Sequence, residues 1–164
     1  MNCNTFAPIP AFSSLGNHTS EPSQLNLRLR ILVADDDDVI RRLILLFLLD
    51  EKYEVEAVSD GEQAWNALYQ ADYDLLITDN EMPRLTGVNL IARLRQVGIC
   101  LPVIMVSGTF SPEIARNHAD LQIAAVIAKP FGRREIVEAV RNSLFSAVIC
   151  NTNHGPQGRD AAKH

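Results

Sequence analysis

Cysteine is scarce and scattered: Cys3, Cys100 and Cys150 are odd in number and far apart. That spacing suits neither a disulfide framework nor a zinc site, so a reducing compartment is the simplest expectation. Histidine is as thin, and His18, His118, His154 and His164 fall in expected loops and tails with no assigned role. No apolar run is long. The longest, Leu43 to Leu49, has seven residues, far short of the roughly 20 that a membrane helix needs. The N-terminus lacks the charged start and unbroken apolar stretch of a signal peptide. Basic charge is not in excess either: the net charge is −5, which excludes a global pull toward nucleic acid or anionic lipid. The expectation is a cytoplasmic protein with no direct nucleic-acid contact and no membrane insertion.

What remains is ordinary globular material. The 164 residues are 47% hydrophobic and 21% charged, enough for one domain with tails. Residues 1–28 are rich in Asn, Ser, Pro and Thr without periodicity and read as a loose N-terminal arm. Residues 148–164, ending NTNHGPQGRDAAKH, read as a flexible tail. Between them, 29–147, five short apolar runs alternate with helical patterns: RILVAD (30–35), YEVEAV (53–58), YDLLITD (73–79), LPVIMVS (101–107) and AAVIAK (124–129). Four are nearly continuous in apolar residues, as strands covered on both faces should be. YEVEAV alternates, as a sheet edge does.

Helix signals lie between the runs. Ser59-Asp60-Gly61-Glu62 reads as a capping box, and Ser111-Pro112-Glu113 as an N-cap with proline at the first helical position. Ile136, Val137, Val140 and Leu144 fall at helical spacing. Alternation of this kind predicts an α/β fold with a doubly wound, five-stranded parallel sheet.

In such sheets ligands bind beyond the carboxyl ends of the strands, where the strand order reverses. The unusual polar residues sit there: Asp35 and Asp36, Asp79, Ser107 and Lys129 each follow an apolar run directly. Two carboxylates about 4 Å apart repel by roughly 4 kcal/mol at an effective dielectric near 20. Three therefore call for a cation, and short acids with oxygen donors suit Mg²⁺, with Mn²⁺ as an alternative. Asp79 can then attack phosphorus to give an acyl phosphate. Lys129 would neutralise phosphoryl oxygens, the Ser107 hydroxyl would donate to one, and the Gly108 N–H would approach another. Asp37 and Asp38 have the plainer role of N-cap and favourable charge on the helix that follows.

ILVADDDD, LLITDNEMPRLTG, VIMVSG and AKPF, in this order and at strand ends, resemble the receiver family of two-component response regulators over residues 29–147. The resemblance implies the flavodoxin-like (βα)5 three-layer sandwich with strand order 2-1-3-4-5. It implies phosphorylation on Asp79, Ser107 as switch hydroxyl, Lys129 as phosphate-sensing cation and a cis Lys129-Pro130 bond. It implies metal binding by Asp36, Asp79 and the backbone carbonyl of Glu81, with Asp35 acting through water. Glu81 and Thr109 would flank the path of water to the acyl phosphate and tune its lifetime. The partners it implies are a sensor histidine kinase or histidine phosphotransfer protein and a downstream protein target. It implies self-phosphorylation and autodephosphorylation rather than turnover; with no second domain expected, output would come from the receiver itself. One position departs from the pattern: Val126 stands where many members carry Tyr or Phe.

Two alternatives stand beside this reading. Asp35-x-Asp37-x-Val39 resembles the first motif of haloacid-dehalogenase-type phosphohydrolases, but no adjacent acidic pair follows Lys129, and Asp79 would have no role. A pseudo-receiver, with the pocket intact and output independent of phosphorylation, is the other. A last feature is a surplus in VIRRLILLFLLDE, Val39 to Glu51. Ile40, Leu43, Ile44, Phe47 and Leu48 supply the buried stripe. That leaves Leu45 and Leu49 as a partner surface beside Arg41, unless Phe6, Phe12 or Leu15 of the arm cover them.

Overall fold

The computed structural model describes residues 28–108 and 121–153, with side chains through Ala147. The expected helix start at Ser111-Pro112, Thr109, and the arm residues Phe6, Phe12 and Leu15 lie outside the described residues.

Five parallel strands form one sheet: β1 (Arg30–Ala34), β2 (Glu54–Val58), β3 (Leu75–Asp79), β4 (Val103–Ser107) and β5 (Ala125–Ala128). Their order is β2-β1-β3-β4-β5, as the family resemblance implies. The order reverses between β1 and β3, so the carboxyl ends of these two strands open the ligand crevice. Register does the rest. Ala34 lies opposite Thr78 and Asp79 opposite Val106, which brings Asp35, Asp79 and Ser107 to one end of the sheet.

The helices among the described residues are α1 (Asp38–Asp50), α2 (Gly61–Gln70), α3 (Gly87–Gln96) and α4 (Arg133–Asn153). They divide the core into two layers. Ile31, Val33, Leu75, Ile77, Ile104 and Val106 face Ile44 and Leu48 of α1 and Ile136, Val140 and Leu144 of α4. Leu32, Leu76, Val103 and Met105 face α2 and α3 through Ala64, Leu68, Leu90, Ile91 and Leu94. Strand residues thus alternate between two apolar layers, which is why the runs show no polar alternation. No described helix is long and apolar enough to cross a membrane.

Several expectations change in detail. β2 is an edge strand, as its alternation predicts, but β5 is the other edge, and Ala125 and Val126 there are only half-buried. A continuous apolar run does not by itself prove a central strand. The N-cap of α2 is Asp60 rather than Ser59: its carboxylate accepts from the Gln63 N–H. α4 continues to Asn153, past the expected tail boundary at 148. No glycine or proline interrupts the chain between Arg133 and Gly155. Asp37 caps α1 as expected, accepting from Val39 at 2.8 Å and Ile40 at 3.2 Å.

The surface of α1 needs correction. Leu45 is half-buried, whereas Val39 (73%), Leu46 (64%) and Leu49 (46%) are exposed. At 3.6 residues per turn Leu45 lies only about 60° from buried Leu48, while Leu46 lies about 160° away. Arg41 does not border this face. Its guanidinium turns back to the Asp35 carbonyl at 2.7 Å and to Asp38, and Arg42 stands on the exposed side instead.

Candidate phosphoacceptor and metal site

The carboxyl ends of β1 and β3 supply the acids. Asp35 (1% exposed), Asp36 (exposed) and Asp79 (5%) each present a carboxylate oxygen, and these lie within 4.8 Å of one another. The hydrogen-bonding backbone orients two of them. Asp35 Oδ1 accepts from the Asp37 N–H at 2.9 Å, and Asp79 Oδ1 accepts from the Asn80 N–H at 2.7 Å. Their other oxygens, Oδ2 in each case, both face the Lys129 ammonium, at 2.9 Å from Asp35 and 3.2 Å from Asp79.

Lys129 reaches them because β5 is held against β4. Its backbone N–H donates to the Ser107 carbonyl at 2.8 Å, so the lysine and the serine share one strand end. Ser107 is buried, and the Lys129-Pro130 bond is cis. Asp79, Ser107, Lys129, Asp35 and Asp36 thus converge as the strand ends predict.

Electrostatics set the character of the pocket. Burial pushes the Asp35 carboxyl above its usual value, against the pull of Lys129 and of the Asp37 N–H. Burial alone would lower the Lys129 ammonium. Its hydrogen bonds and attraction to Asp35 and Asp79 outweigh that and hold it above its ordinary value. One ammonium is therefore shared between two buried carboxylates, with a third acid at the rim. Oxygen-only donors on short side chains, one of them open to solvent, fit a hard divalent cation that keeps some of its water. The donor set fits Mg²⁺.

Other expected residues stand nearby or apart. Glu81 is exposed in the loop after β3. Among the described residues, a Cβ built on Gly108 would meet nothing within 4 Å. Val126, where the family pattern has an aromatic, lies on β5 opposite Met105 of β4 and packs half-buried against the α2/α3 layer. Asp37, which lies in the stretch that resembles the phosphohydrolase motif, serves as the α1 cap. Sequence reasoning passed over Arg84, whose guanidinium pairs with the fully buried carboxylate of Asp60. Its one local signal was a basic residue directly after Met82-Pro83.

This architecture is that of a signalling receiver domain. The chain belongs to the response regulator receiver domain family, which residues 31–141 match. It is similar to response regulator RppA of Synechocystis sp., 35% identical over 115 residues that make up 69% of this chain and 49% of RppA. It is also similar to the response regulator receiver protein CpdR of Brucella abortus, 29% identical over 118 residues, 72% of this chain and 98% of CpdR. Among solved structures, chemotaxis response regulator CheY4 of Vibrio cholerae superposes with a TM-score of 0.66 at 26% identity, covering 71% of this chain and 98% of CheY4. The chain spans about half the length of RppA and nearly all of CpdR.

Proposed function

We propose that this receiver takes a phosphoryl group onto Asp79, in a Mg²⁺-dependent reaction in the cytoplasm, from a histidine kinase or histidine phosphotransfer protein. It passes the signal on through protein–protein contacts and is not a turnover enzyme. One observation carries this reading: the buried Asp79 carboxylate shares Lys129 with Asp35 while Asp36 stands within ligand distance at the rim.

Asp36, Asp79 and the Glu81 carbonyl would hold the ion, with Asp35 acting through water; Mn²⁺ would serve as well. When bound, it supplies positive charge beside the transferring phosphoryl group. An Asp79 carboxylate oxygen attacks phosphorus, and the phosphorus–nitrogen bond of the donor breaks with its electron pair returning to the imidazole. Lys129 leaves its bridging position to pair with a phosphoryl oxygen. The Ser107 hydroxyl and the Gly108 N–H donate to the others. By the family resemblance, replacing Glu81 or Thr109 should change the lifetime of the acyl phosphate.

Acetyl phosphate with Mg²⁺ should place one labile phosphoryl group on each chain, and EDTA or Asp79→Ala should abolish it. Labelling that persists in Asp79→Ala sinks the assignment. Steady release of phosphate would instead mark a phosphohydrolase, and no labelling at all a pseudo-receiver.

Val39, Arg42, Leu46 and Leu49 form the docking face for the donor's helices. Leu46→Glu with Leu49→Glu should leave acetyl phosphate labelling intact and slow transfer from the kinase at least tenfold, a loss of about 1.4 kcal/mol at the interface. Unfolding of the double variant, both in the full chain and in one beginning at Leu27, would assign the pair to the core. Loss of stability in the full chain alone would make the N-terminal arm their cover.

A further inference from the structure

A carboxylate ligand can turn about its side-chain bonds to meet an ion, but a backbone carbonyl cannot. If Glu81 contributes its carbonyl, the position of that ligand is set by the loop between Asp79 and α3, residues 80–86. The near end of this loop is pinned at Asn80. Its carbonyl accepts from the Gly87 N–H at 3.1 Å and its side-chain oxygen from the Val88 N–H at 3.2 Å.

The far side is pinned by a different device. Arg84 adopts φ +67°, a left-handed conformation that residues with a side chain seldom take. Its guanidinium closes on the Asp60 carboxylate, which is fully buried at the start of α2. Asp60 is itself held, since Oδ1 accepts from the Gln63 N–H at 2.9 Å and Oδ2 from the Gln63 side-chain amide. Next to this pair, a Cβ on Gly61 would fall 2.1 Å from the Leu85 carbonyl oxygen, so only glycine lets the loop lie this close. Met82 is buried in the same layer. Glycine or asparagine would suit the backbone at position 84 better than arginine does. What arginine adds there is reach to a buried acid on another element.

We propose that Arg84 is a positioning residue for the acceptor site: by closing on Asp60 it holds the 80–86 loop against α2 and so fixes the Glu81 carbonyl and the affinity for Mg²⁺. The proposal rests on the phosphoacceptor reading above. Arg84 touches neither the ion nor the phosphoryl group. Its effect passes through the backbone, as partners that orient metal ligands do elsewhere.

The test is a thermodynamic cycle on the full chain, with Mg²⁺ binding read by isothermal titration calorimetry and melting read in EDTA. Asp60→Asn keeps a good N-cap for α2 and removes the charge that Arg84 seeks. Arg84→Gly keeps the left-handed backbone and removes the cation. Each should weaken Mg²⁺ binding about tenfold. The double variant should bind no more weakly than either single one, because both break the same link. A dissociation constant within about twofold of wild type in Arg84→Gly, even with a lowered melting temperature, would make the pair merely structural and overturn the proposal. So would losses that multiply in the double variant. Wild-type protein that binds no Mg²⁺ would instead bring down the phosphoacceptor reading itself, and this inference with it.

Discussion

The two ends of the sheet carry the same kinds of charge and use them differently. At the amino end Arg30 meets Glu54 at 2.9 Å and Glu56 at 3.7 Å, while Asp74 accepts from its backbone N–H and Tyr73 lies beneath its guanidinium. At the carboxyl end Lys129 meets Asp35 and Asp79, with Asp36 nearby. Each end sets one cation against three carboxylates. The difference is water. Glu54 and Glu56 are about half exposed, so their repulsion is screened, worth about 1 kcal/mol at 4 Å in bulk water. Asp35 and Asp79 are buried, where the same separation costs about 4 kcal/mol at an effective dielectric near 20. Burial, not charge count, makes one end a site that wants a second cation.

Removing the central cation from each end gives the largest contrast. Lys129→Met should cost about 2–3 kcal/mol in EDTA near neutral pH. That is less than the roughly 3–5 kcal/mol of breaking a fully buried pair, because Lys129 keeps some contact with water. Arg30→Met should cost no more than about 1 kcal/mol. The pH dependence has a definite sign. Asp35 is already held above its usual value in the folded protein, and losing Lys129 pushes it higher. A raised carboxyl pKa means the folded form binds the proton more tightly. The Lys129→Met penalty should therefore shrink as pH falls through the variant's higher folded Asp35 value, until the wild-type carboxyl protonates as well. Denaturant unfolding of both variants across that range is the measurement, and equal, pH-independent losses would erase the distinction between the ends.

Neutralising one acid at each end gives a smaller effect of opposite sign. Asp36→Asn should stabilise the metal-free protein by up to about 1 kcal/mol, limited because Asp36 is exposed and screened. The same change should weaken Mg²⁺ binding. Glu54→Gln should be neutral or slightly destabilising, since it removes an ion pair and relieves little repulsion. High salt should flatten both. An Asp36→Asn protein that loses stability yet still binds the ion would refute the account of the carboxyl end.

The contrast also marks what was legible in the sequence. The site residues could be read because a parallel sheet gathers strand carboxyl ends, and Asp35, Asp79, Ser107 and Lys129 each interrupt an apolar run at that point. Asp37 could be read as a cap because capping is local. Pairings between distant turns could not. Asp60 and Arg84 are separated by 24 positions, and a helix start and a basic residue after Met82-Pro83 do not point to each other. Arg95 lies in the last turn of α3, where a basic residue is expected to face solvent. Instead its half-buried guanidinium donates to the carbonyls of Ile99, Leu101, Leu121 and Gln122. Burial lowers its pKa from the ordinary value. The exchange of Leu45 for Leu46 on the surface of α1 is a rotation of one residue, which a periodic apolar pattern with surplus leucines does not fix.

The smallest expected effect sharpens the amino end alone. Tyr73 donates its hydroxyl proton to Glu56. Partial burial comes first in pushing its phenol up to about 12, followed by the hydrogen bond to Glu56 and the charge of that carboxylate; Arg30 opposes them. Because the folded value exceeds the unfolded one of 10.0, the folded protein keeps the proton where the unfolded chain releases it. The stabilisation this gives is complete below 10.0, declines above it and is gone once the folded phenol ionises. In a Tyr53→Phe, Tyr69→Phe background, ultraviolet absorbance should follow Tyr73 alone and show this late ionisation. Adding Glu56→Gln should move the transition down, because it removes an acceptor and a negative charge from beside the phenolate. Adding Arg30→Met should move it up, because the opposing cation is lost. Opposite displacements by these two changes would show that the exposed charges still act on their neighbours, only weakly. If neither change moves the transition, water screens this end completely, and the contrast with the buried acids is larger than the geometry implies.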